Sequence, residues 1–175
     1  MSDSRLAAVV ALLRVVGDGP DDVEILFIKR AVVARDPWSG HIAFPGGRLE
    51  VSDGSLEHTA IRETREEVSI DIEQHGLVIG QLDDLAPRSP RLPPVIVRPF
   101  VAVVPASVEI TANPEVADAF WTTVSTLASV AARAEHELTV DGAATRFPAY
   151  AVREHIVWGL TERIVTQLLP LFAMP

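Results

Sequence analysis

The chain has 175 residues, of which 48% are hydrophobic, and a formal net charge of −9 at pH 7. This length predicts a single domain spanning 1–175, with enough apolar surface for a sizeable core. The acidic balance argues against binding a nucleic-acid polymer, because phosphate backbones are held by clustered Lys and Arg. The absence of cysteine excludes disulfides and thiolate metal sites. It is consistent with a reducing compartment, so we predict a cytoplasmic location.

The chain is predicted to begin with a β-hairpin. Residues 7–15 and 23–29 are apolar or alternating, and a turn rich in Gly, Asp and Pro separates them. The apolar run 6–16 is too short to span a bilayer and is interrupted by Arg14. Residues 1–5 lack the net positive charge of a secretory signal, so we expect neither a membrane segment nor a signal peptide.

The middle of the chain is predicted to place one long helix between a loop and two further strands. Residues 31–40 are loop-like, residues 42–44 form a short strand, and residues 55–68 form an amphipathic helix. Strands follow over 77–82 and 95–104. The segment between them contains four prolines and two arginines, which is typical of an exposed loop, and we expect it near the substrate.

The last third of the chain is predicted to end one more strand and then form two helices. Residues 120–121 end the strand, and 123–135 and 153–169 are the helices, the second stopped by Pro170. The alternation of elements predicts an α/β fold, a mixed sheet with helices packed on both faces. The final helix is amphipathic and packs either on its own sheet or on a second copy, which leaves a homodimer open.

The most informative segment is 62–67, which reads R-E-T-R-E-E. Glu63, Glu66 and Glu67 are spaced by three and four residues, so they share one face of a helix. Like charges at this spacing repel, and Arg62 offsets only part of that repulsion. Taken alone, the hexapeptide is also compatible with a solvated face of mixed charge.

The residues around this acid cluster favour a metal site. The same helix has a small or apolar stripe, so its carboxylates lie at a fixed outer edge. Phe44-Pro45-Gly46-Gly47 provides a flexible loop upstream, and Asp53-Gly54 offers a helix cap and a turn. Oxygen ligands without cysteine favour Mg²⁺ or Mn²⁺ over zinc.

Residues 47–70 resemble the Nudix box, G-x5-E-x7-R-E-U-x-E-E-x-G-U, in which U is bulky and apolar. The chain departs from this pattern in four places: Asp53 replaces the first Glu, eight residues separate it from Arg62, Thr64 replaces an apolar residue, and Ser69 replaces the late Gly. The first two departures are similar to the coenzyme A diphosphatase branch of the family. Ser69 falls at a helix C-terminus, where a left-handed residue is expected.

A second element upstream also resembles the coenzyme A branch, whose members carry R-[SA]-x3-R-x3-G-x3-F-P-G-G. Arg30 and Arg35 match its start and 40–47 match its end, with one extra residue between Arg35 and Gly40. Segments around Asn113-Pro114-Glu115 and 158–161 are similar to later parts of this branch. The resemblance implies a Nudix-type α/β/α sandwich with a loop-helix-loop metal site.

The resemblance implies metal-dependent attack of water on a phosphoanhydride in a nucleoside diphosphate linked to another moiety. Glu63, Glu66 and Glu67 are the implied metal ligands. One of them, or a loop acid for which Glu115 is the candidate, acts as the base. Arg62 is expected to orient a box glutamate through a salt bridge.

Candidate substrate-binding residues lie upstream of the acid helix, and their roles stay open. Gly46 and Gly47 permit close approach, Arg30 and Arg35 either contact phosphates or are surface charges, and Trp38 either stacks on a base or anchors its loop. The preferred substrate is coenzyme A or a thioester of it. Alternatives are ADP-ribose, NADH or another dinucleotide, and a module of this fold that senses a nucleotide without hydrolysing it.

Overall fold

The computed structural model describes residues 5–19, 21–89 and 91–173. Residues 1–4, for which no signal peptide is expected, Pro20 of the predicted first turn and Pro90 of the proline-rich loop lie outside the described residues. The strands are β1 (Arg5–Val15), β2 (Val23–Arg30), β3 (Ile42–Ala43), β4 (Gly46–Arg48), β5 (Leu77–Gln81), β6 (Val95–Val104), β7 (Val116–Thr123), β8 (Arg133–Val140), β9 (Ala143–Val152) and β10 (His155–Trp158). The helices are α1 (Leu56–Val68), α2 (Ile72–His75), α3 (Val124–Ala128) and α4 (Gly159–Leu168), and short 3₁₀ turns cover Val51–Asp53, Val130–Ala132 and Leu169–Phe172.

Strand β1 organises a seven-stranded mixed sheet, in which five strands follow the order β3-β2-β1-β6-β5, β4 pairs with β1 and β7 pairs with β2. It runs parallel to β6 from Arg5 to Arg14 and antiparallel to β2 near its C-terminal end, which confirms the predicted hairpin. Near its N-terminal end β1 instead pairs with β4, where Ala8 faces Gly47. Strand β2 thus pairs with only part of β1. Gly46 and Gly47 of β4, which we call the glycine segment, lie beside the N-terminal part.

Each face of this sheet carries its own hydrophobic core. Helices α1 and α2 pack on one face, whereas α3, α4 and a three-stranded sheet of order β10-β9-β8 pack on the other. Both cores contain apolar side chains from the long strands, including Leu12, Leu26 and Ile28 on the α1 face and Leu13, Ile25 and Phe27 on the α4 face. The expected α/β architecture with helices on both faces is confirmed.

Helix α4 packs on its own domain. Its apolar residues Ile164, Val165 and Leu168 are buried in the core that contains Phe27 and Tyr150. This face is therefore occupied by the chain itself and is not free for a second copy. In the described part of the chain, no helix combines the length and the apolar character needed to cross a membrane.

The helix predicted over 123–135 is wrong beyond its first turns. Helix α3 ends at Ala128, and β8 begins at Arg133. Residues of β8 alternate between exposed and half-buried with a period of two, which suits a strand. Asp141 and Gly142 adopt positive φ angles of 53° and 80° and form the two-residue turn to β9. An Asp-Gly pair is a strong hairpin signal that the sequence interpretation overlooked.

The helix predicted over 153–169 begins six residues too early. Strand β10 occupies His155–Trp158 and pairs with β9, so α4 begins only at Gly159. Arg153, with φ 54°, lies in the tight turn that reverses the chain between β9 and β10. Helix α4 ends at Leu168, one residue before the predicted end, and Pro170 lies in the following 3₁₀ turn.

Candidate active site

Helix α1 begins and ends at residues that suit its termini. Ser55 is the N-cap, and its hydroxyl accepts a hydrogen bond of 3.1 Å from the backbone N–H of His58. Ser69 caps the other end in the left-handed region, with φ 61°, and its N–H donates to the carbonyl of Arg65. The face that packs on the sheet consists of Ala60, Ile61, Thr64 and Val68. The acidic edge of the helix is therefore held in a fixed position.

Arg62 anchors the preceding turn to α1 through a bidentate ion pair. Its Nε lies 2.6 Å from Oδ1 of Asp53, and its Nη2 lies 3.1 Å from Oδ2. Asp53 is buried and also accepts hydrogen bonds from the N–H of Glu50 and the hydroxyl of Thr59. The hydrogen bond from Arg62 is the main reason that the pKa of Asp53 lies well below its usual range. The bidentate partner of Arg62 is thus the aspartate that departs from the box pattern.

Glu67 is the most buried acid of the cluster. Its side chain packs beneath the glycine segment, where Oε2 accepts a 2.9 Å hydrogen bond from the N–H of Gly46. Burial raises the pKa of Glu67 to about 7, and the negative charges of Glu63 and Glu115 act in the same direction. The bond from Gly46 opposes this rise without cancelling it. The positive charge of Arg30 also opposes the rise, but neither contact outweighs the burial of the Glu67 carboxylate.

Glu63 lies against the other glycine. A side-chain Cβ at position 47 would overlap the Glu63 carboxyl group, so only glycine leaves room for this contact. Burial raises the pKa of Glu63, while the nearby Arg62 guanidinium, 3.1 Å away, counteracts part of that rise. Gly46 is equally constrained, because its φ is 155° and a Cβ there would overlap the backbone of β1.

Glu66 lies apart from the other two acids. Its side chain is 52% exposed and pairs with Nη1 of Arg62 at 3.1 Å. Within the described residues, no group of three or more His, Cys, Asp or Glu side chains is positioned to hold a metal ion. The structure thus brings Glu63 and Glu67 to the glycine segment but leaves Glu66 on the solvent side of Arg62.

Glu115 belongs to a loop that approaches the same acids. Its N–H donates to the side-chain oxygen of Asn113, and its carbonyl accepts from the N–H of Ala31. The side chain is exposed, and its charge helps to raise the pKa values of both Glu63 and Glu67. Glu115 is therefore electrostatically coupled to the acid pair, as a loop acid at this site requires.

A cavity of about 980 Å³ opens beside the glycine segment. All five predicted substrate-binding residues line it: Arg30, Arg35, Trp38, Gly46 and Gly47. The proline-rich loop between β5 and β6 lines it as well, which agrees with the expectation that this loop lies near the substrate. The cavity volume is at the upper end of the range of small-molecule sites, roughly 300–1,000 Å³.

Asp36 shapes the upstream wall of the cavity. Its carboxylate accepts a 2.9 Å hydrogen bond from Arg30 and a 3.0 Å hydrogen bond from the backbone N–H of Trp38. Arg35 sits beside it in the left-handed region, with φ 69°. Arg30, Arg35 and Trp38 all line the cavity, and of these Arg30 is paired with Asp36.

Two further walls of the cavity were missed by sequence reasoning. Hairpin β8–β9 contributes apolar side chains, including Leu138, Val140 and Phe147, and the first turn of α4 contributes Leu160 and Glu162. The hairpin was missed because its strand was interpreted as a helix. The Asp141-Gly142 turn is the signal that would have revealed it.

The acid pair fits a hard divalent cation by its chemistry. The donors are carboxylate oxygens, which Mg²⁺ and Mn²⁺ prefer. Glu63 and Glu67 both have raised pKa values, so the protein supplies less positive charge there than two carboxylates need. A cation would favour their ionised forms. The full ligand set stays a prediction.

Comparisons with known proteins give the same family. A model of the NUDIX domain matches residues 4–141. The uncharacterized Nudix hydrolase NudL of Photorhabdus laumondii is 32% identical over 169 residues, covering 96% of this chain and 86% of the relative.

Two solved structures have a similar fold. A MutT/nudix family protein from Enterococcus faecalis has a TM-score of 0.64 at 18% identity, covering 99% of this chain and 64% of that one. The NUDIX domain of Shewanella oneidensis NrtR, solved with ADP ribose, has a TM-score of 0.55 at 19% identity, covering 71% of this chain and 76% of that one. At these identities the likeness concerns the fold alone. Taken with the family match and the alignment with NudL, it leads to one conclusion: the chain belongs to the Nudix family and is a Nudix hydrolase.

Proposed function

We propose that the chain hydrolyses a phosphoanhydride bond in a nucleoside diphosphate linked to another moiety, with coenzyme A and its thioesters as preferred substrates. Nudix hydrolases generally use divalent metal ions and act on small nucleotides. One observation carries the proposal: the acid pair Glu63 and Glu67 contacts the glycine segment that lines the large cavity. Acids and substrate space thus meet at Gly46 and Gly47.

The acids near the glycine segment would have separate roles in metal binding and proton transfer. Glu63 and Glu67 would hold Mg²⁺ or Mn²⁺, and Glu66 would join them by leaving its ion pair with Arg62. The bound ion would neutralise phosphate charge and lower the pKa of water. The N–H of Gly46 fixes the Glu67 carboxylate. We propose Glu115 as the base, because it is exposed and electrostatically coupled to the acid pair.

The cavity walls favour a long substrate with a diphosphate and an apolar arm. Arg30 and Arg35 would contact the phosphates, and Trp38 offers an aromatic surface for a base. The apolar wall from β8–β9 would cover the arm beyond the diphosphate. This combination suits the pantetheine arm of coenzyme A better than a second sugar, which would leave hydroxyl groups against Phe147 and Leu138.

Two broader predictions accompany this function: a single domain over 1–175 and a cytoplasmic location. A homodimer stays open, although not through helix α4, whose apolar face is buried in its own domain. Light scattering on the purified protein measures the number of chains.

The substrate proposal is tested by a hydrolysis screen with Mg²⁺ and with Mn²⁺. The panel contains coenzyme A, acetyl-coenzyme A, ADP-ribose, NADH, diadenosine polyphosphates and nucleoside triphosphates. The variants are Glu67→Gln and a matched control, Glu57→Gln, which makes the same change at an exposed position of the same helix.

The expected result is cleavage of coenzyme A to phosphopantetheine and adenosine 3′,5′-bisphosphate by the wild type and Glu57→Gln, and none by Glu67→Gln. Cleavage of ADP-ribose, NADH or a diadenosine compound instead would overturn the coenzyme A assignment but not the hydrolytic site. Tight binding of one compound without any cleavage would favour a nucleotide sensor.

A further inference from the structure

Two arginines of the cavity wall belong to neither the glycine segment nor the upstream loop. Arg88 lies in the proline-rich loop and Arg163 in α4, and both line the cavity. Across the described ranges, neither guanidinium forms an ion pair with a carboxylate. This contrasts with Arg30, which is already paired with Asp36.

Helix α4 holds the proline-rich loop in place. Nη1 of Arg163 donates a 2.7 Å hydrogen bond to the carbonyl of Ala86. The side-chain amide of Gln167 accepts from the N–H of Asp83 at 2.9 Å and donates to its carbonyl at 3.4 Å. Because these contacts anchor the residues that lead to Arg88, the loop brings a second guanidinium toward α4.

The two guanidinium groups repel each other. Burial and the positive charge of Arg88 both lower the pKa of Arg163, and only Glu162 acts against them. Glu162 is itself buried and accepts a hydrogen bond from the hydroxyl of Thr166. Two like charges held together at a cavity wall are relieved by a bound anion, and paired guanidinium groups are well suited to a phosphate.

We propose that Arg88 and Arg163 form a subsite for a phosphate monoester that the substrate carries in addition to the diphosphate that is hydrolysed. The inference rests on the proposed function, because coenzyme A has such a group on its ribose whereas ADP-ribose and NADH have none. The subsite lies on elements separate from the acid helix. It therefore selects among substrates and takes no part in bond cleavage.

The test is calorimetric binding of adenosine 3′,5′-bisphosphate and of 5′-AMP, which differ only in the additional phosphate. Arg88→Gln is the test variant, because Arg88 is exposed and its loss leaves the anchoring hydrogen bonds of Arg163 and Gln167 intact. Arg91→Gln is the matched control, since it makes the same change in the same loop at a residue that pairs with Asp141 and does not line the cavity.

We expect the wild type and Arg91→Gln to bind the bisphosphate about 10-fold or more tightly than AMP, and Arg88→Gln to lose this preference. Equal affinity of the wild type for both nucleotides, or an unchanged preference in Arg88→Gln, would overturn the subsite. Binding is measured without turnover. Absence of coenzyme A cleavage together with a preserved preference would therefore contradict the proposed reaction alone.

Discussion

The carboxylates on the two sides of helix α1 have pKa values shifted in opposite directions. On one side, Arg62 and Asp53 form a buried bidentate pair, and the pKa of Asp53 is lowered mainly by the hydrogen bond from Arg62. On the other, Glu63 and Glu67 lie close together beneath the glycine segment, and burial raises both pKa values. The first arrangement is complete within the protein, whereas the second has less positive charge than its two carboxylates need, even with Arg62 3.1 Å from Glu63.

This contrast separates a stabilising pair from a binding site. A buried ion pair that is fully hydrogen-bonded holds a turn and a helix together, and breaking it costs about 3–5 kcal/mol. A buried acid pair whose charge is only partly compensated destabilises the fold unless a ligand binds to it, which is a common property of functional sites. In this chain the acid pair begins at Glu63, the residue that follows Arg62 of the stabilising pair.

The largest expected effect comes from Glu67→Gln. The amide keeps an oxygen for the N–H of Gly46 but removes the charge, so we expect kcat/KM to fall by about 10³-fold. The melting temperature should stay the same or rise, because the substitution places a neutral group in a buried position. Steady-state kinetics measures kcat/KM and calorimetry measures the melting temperature of the same sample, with Glu57→Gln as control. Retention of activity within a few-fold in a folded variant would contradict the assignment.

Asp53→Asn tests the other side of the helix. We expect a loss of about 3 kcal/mol in the free energy of unfolding at pH 7, because Arg62 keeps its charge and loses its partner. Asp84→Asn is the control, since Asp84 forms a similar bidentate pair with Arg98 at the surface, where solvent screening leaves such pairs with little effect on stability.

The loss of stability in Asp53→Asn is expected to depend on pH. Because the pKa of Asp53 is lowered on folding, its stabilisation is complete above its unfolded pKa of about 3.9 and is lost as the pH falls below that value. The difference in stability between wild type and Asp53→Asn should therefore narrow as the pH falls below about 4. Urea unfolding of the metal-free proteins at several pH values measures this difference in the free energy of unfolding. A difference that does not change with pH would show that the ion pair is not its source.

Gly47→Ala has a smaller expected effect and tests the contact between acid and glycine segment. The added methyl group would overlap the Glu63 carboxyl group, so either the acid or the loop must move. We expect activity to fall by about 10-fold, as for a misplaced catalytic group, with a modest loss of stability. Gly80→Ala is the control because nothing lies within 4 Å of its added Cβ. Equal activity of both variants would show that the contact has no catalytic importance.

Much of the α1 region was predictable because its signals are local. The predicted helix 55–68 corresponds to α1, and Ser69 adopts the left-handed conformation expected at that position. The cap expected at Asp53-Gly54 is wrong, because the N-cap is Ser55 and the Asp53 carboxylate pairs with Arg62 instead. The departure of Asp53 from the box pattern was visible in the sequence. Its bidentate contact with Arg62 was not, because it depends on how the preceding turn folds back on the helix.

The orientation of the three glutamates could not be predicted from the sequence. Helical spacing places Glu63, Glu66 and Glu67 on one side of α1, but it does not say which of them faces the glycine segment. In the structure, the pairing of Glu66 with Arg62 keeps it at the solvent side, while Glu67 lies beneath Gly46. These contacts depend on packing between distant segments.

The walls of the cavity were only half predicted. The upstream loop and the proline-rich loop were expected near the substrate, and both line it. The hairpin β8–β9 was not expected, because an apolar and charged stretch after α3 was interpreted as more helix. Strand pairing between β8 and β9 overrode that local preference, as tertiary contacts commonly do.

The central claim is that Glu63 and Glu67 form an acid pair that binds a divalent cation. Calorimetric titration of the metal-free protein with Mn²⁺ at pH 7.5 tests it most directly. The account predicts binding by the wild type and by Glu57→Gln, and at least about 10-fold weaker binding by Glu67→Gln. Equal affinity of all three proteins for Mn²⁺ would contradict it.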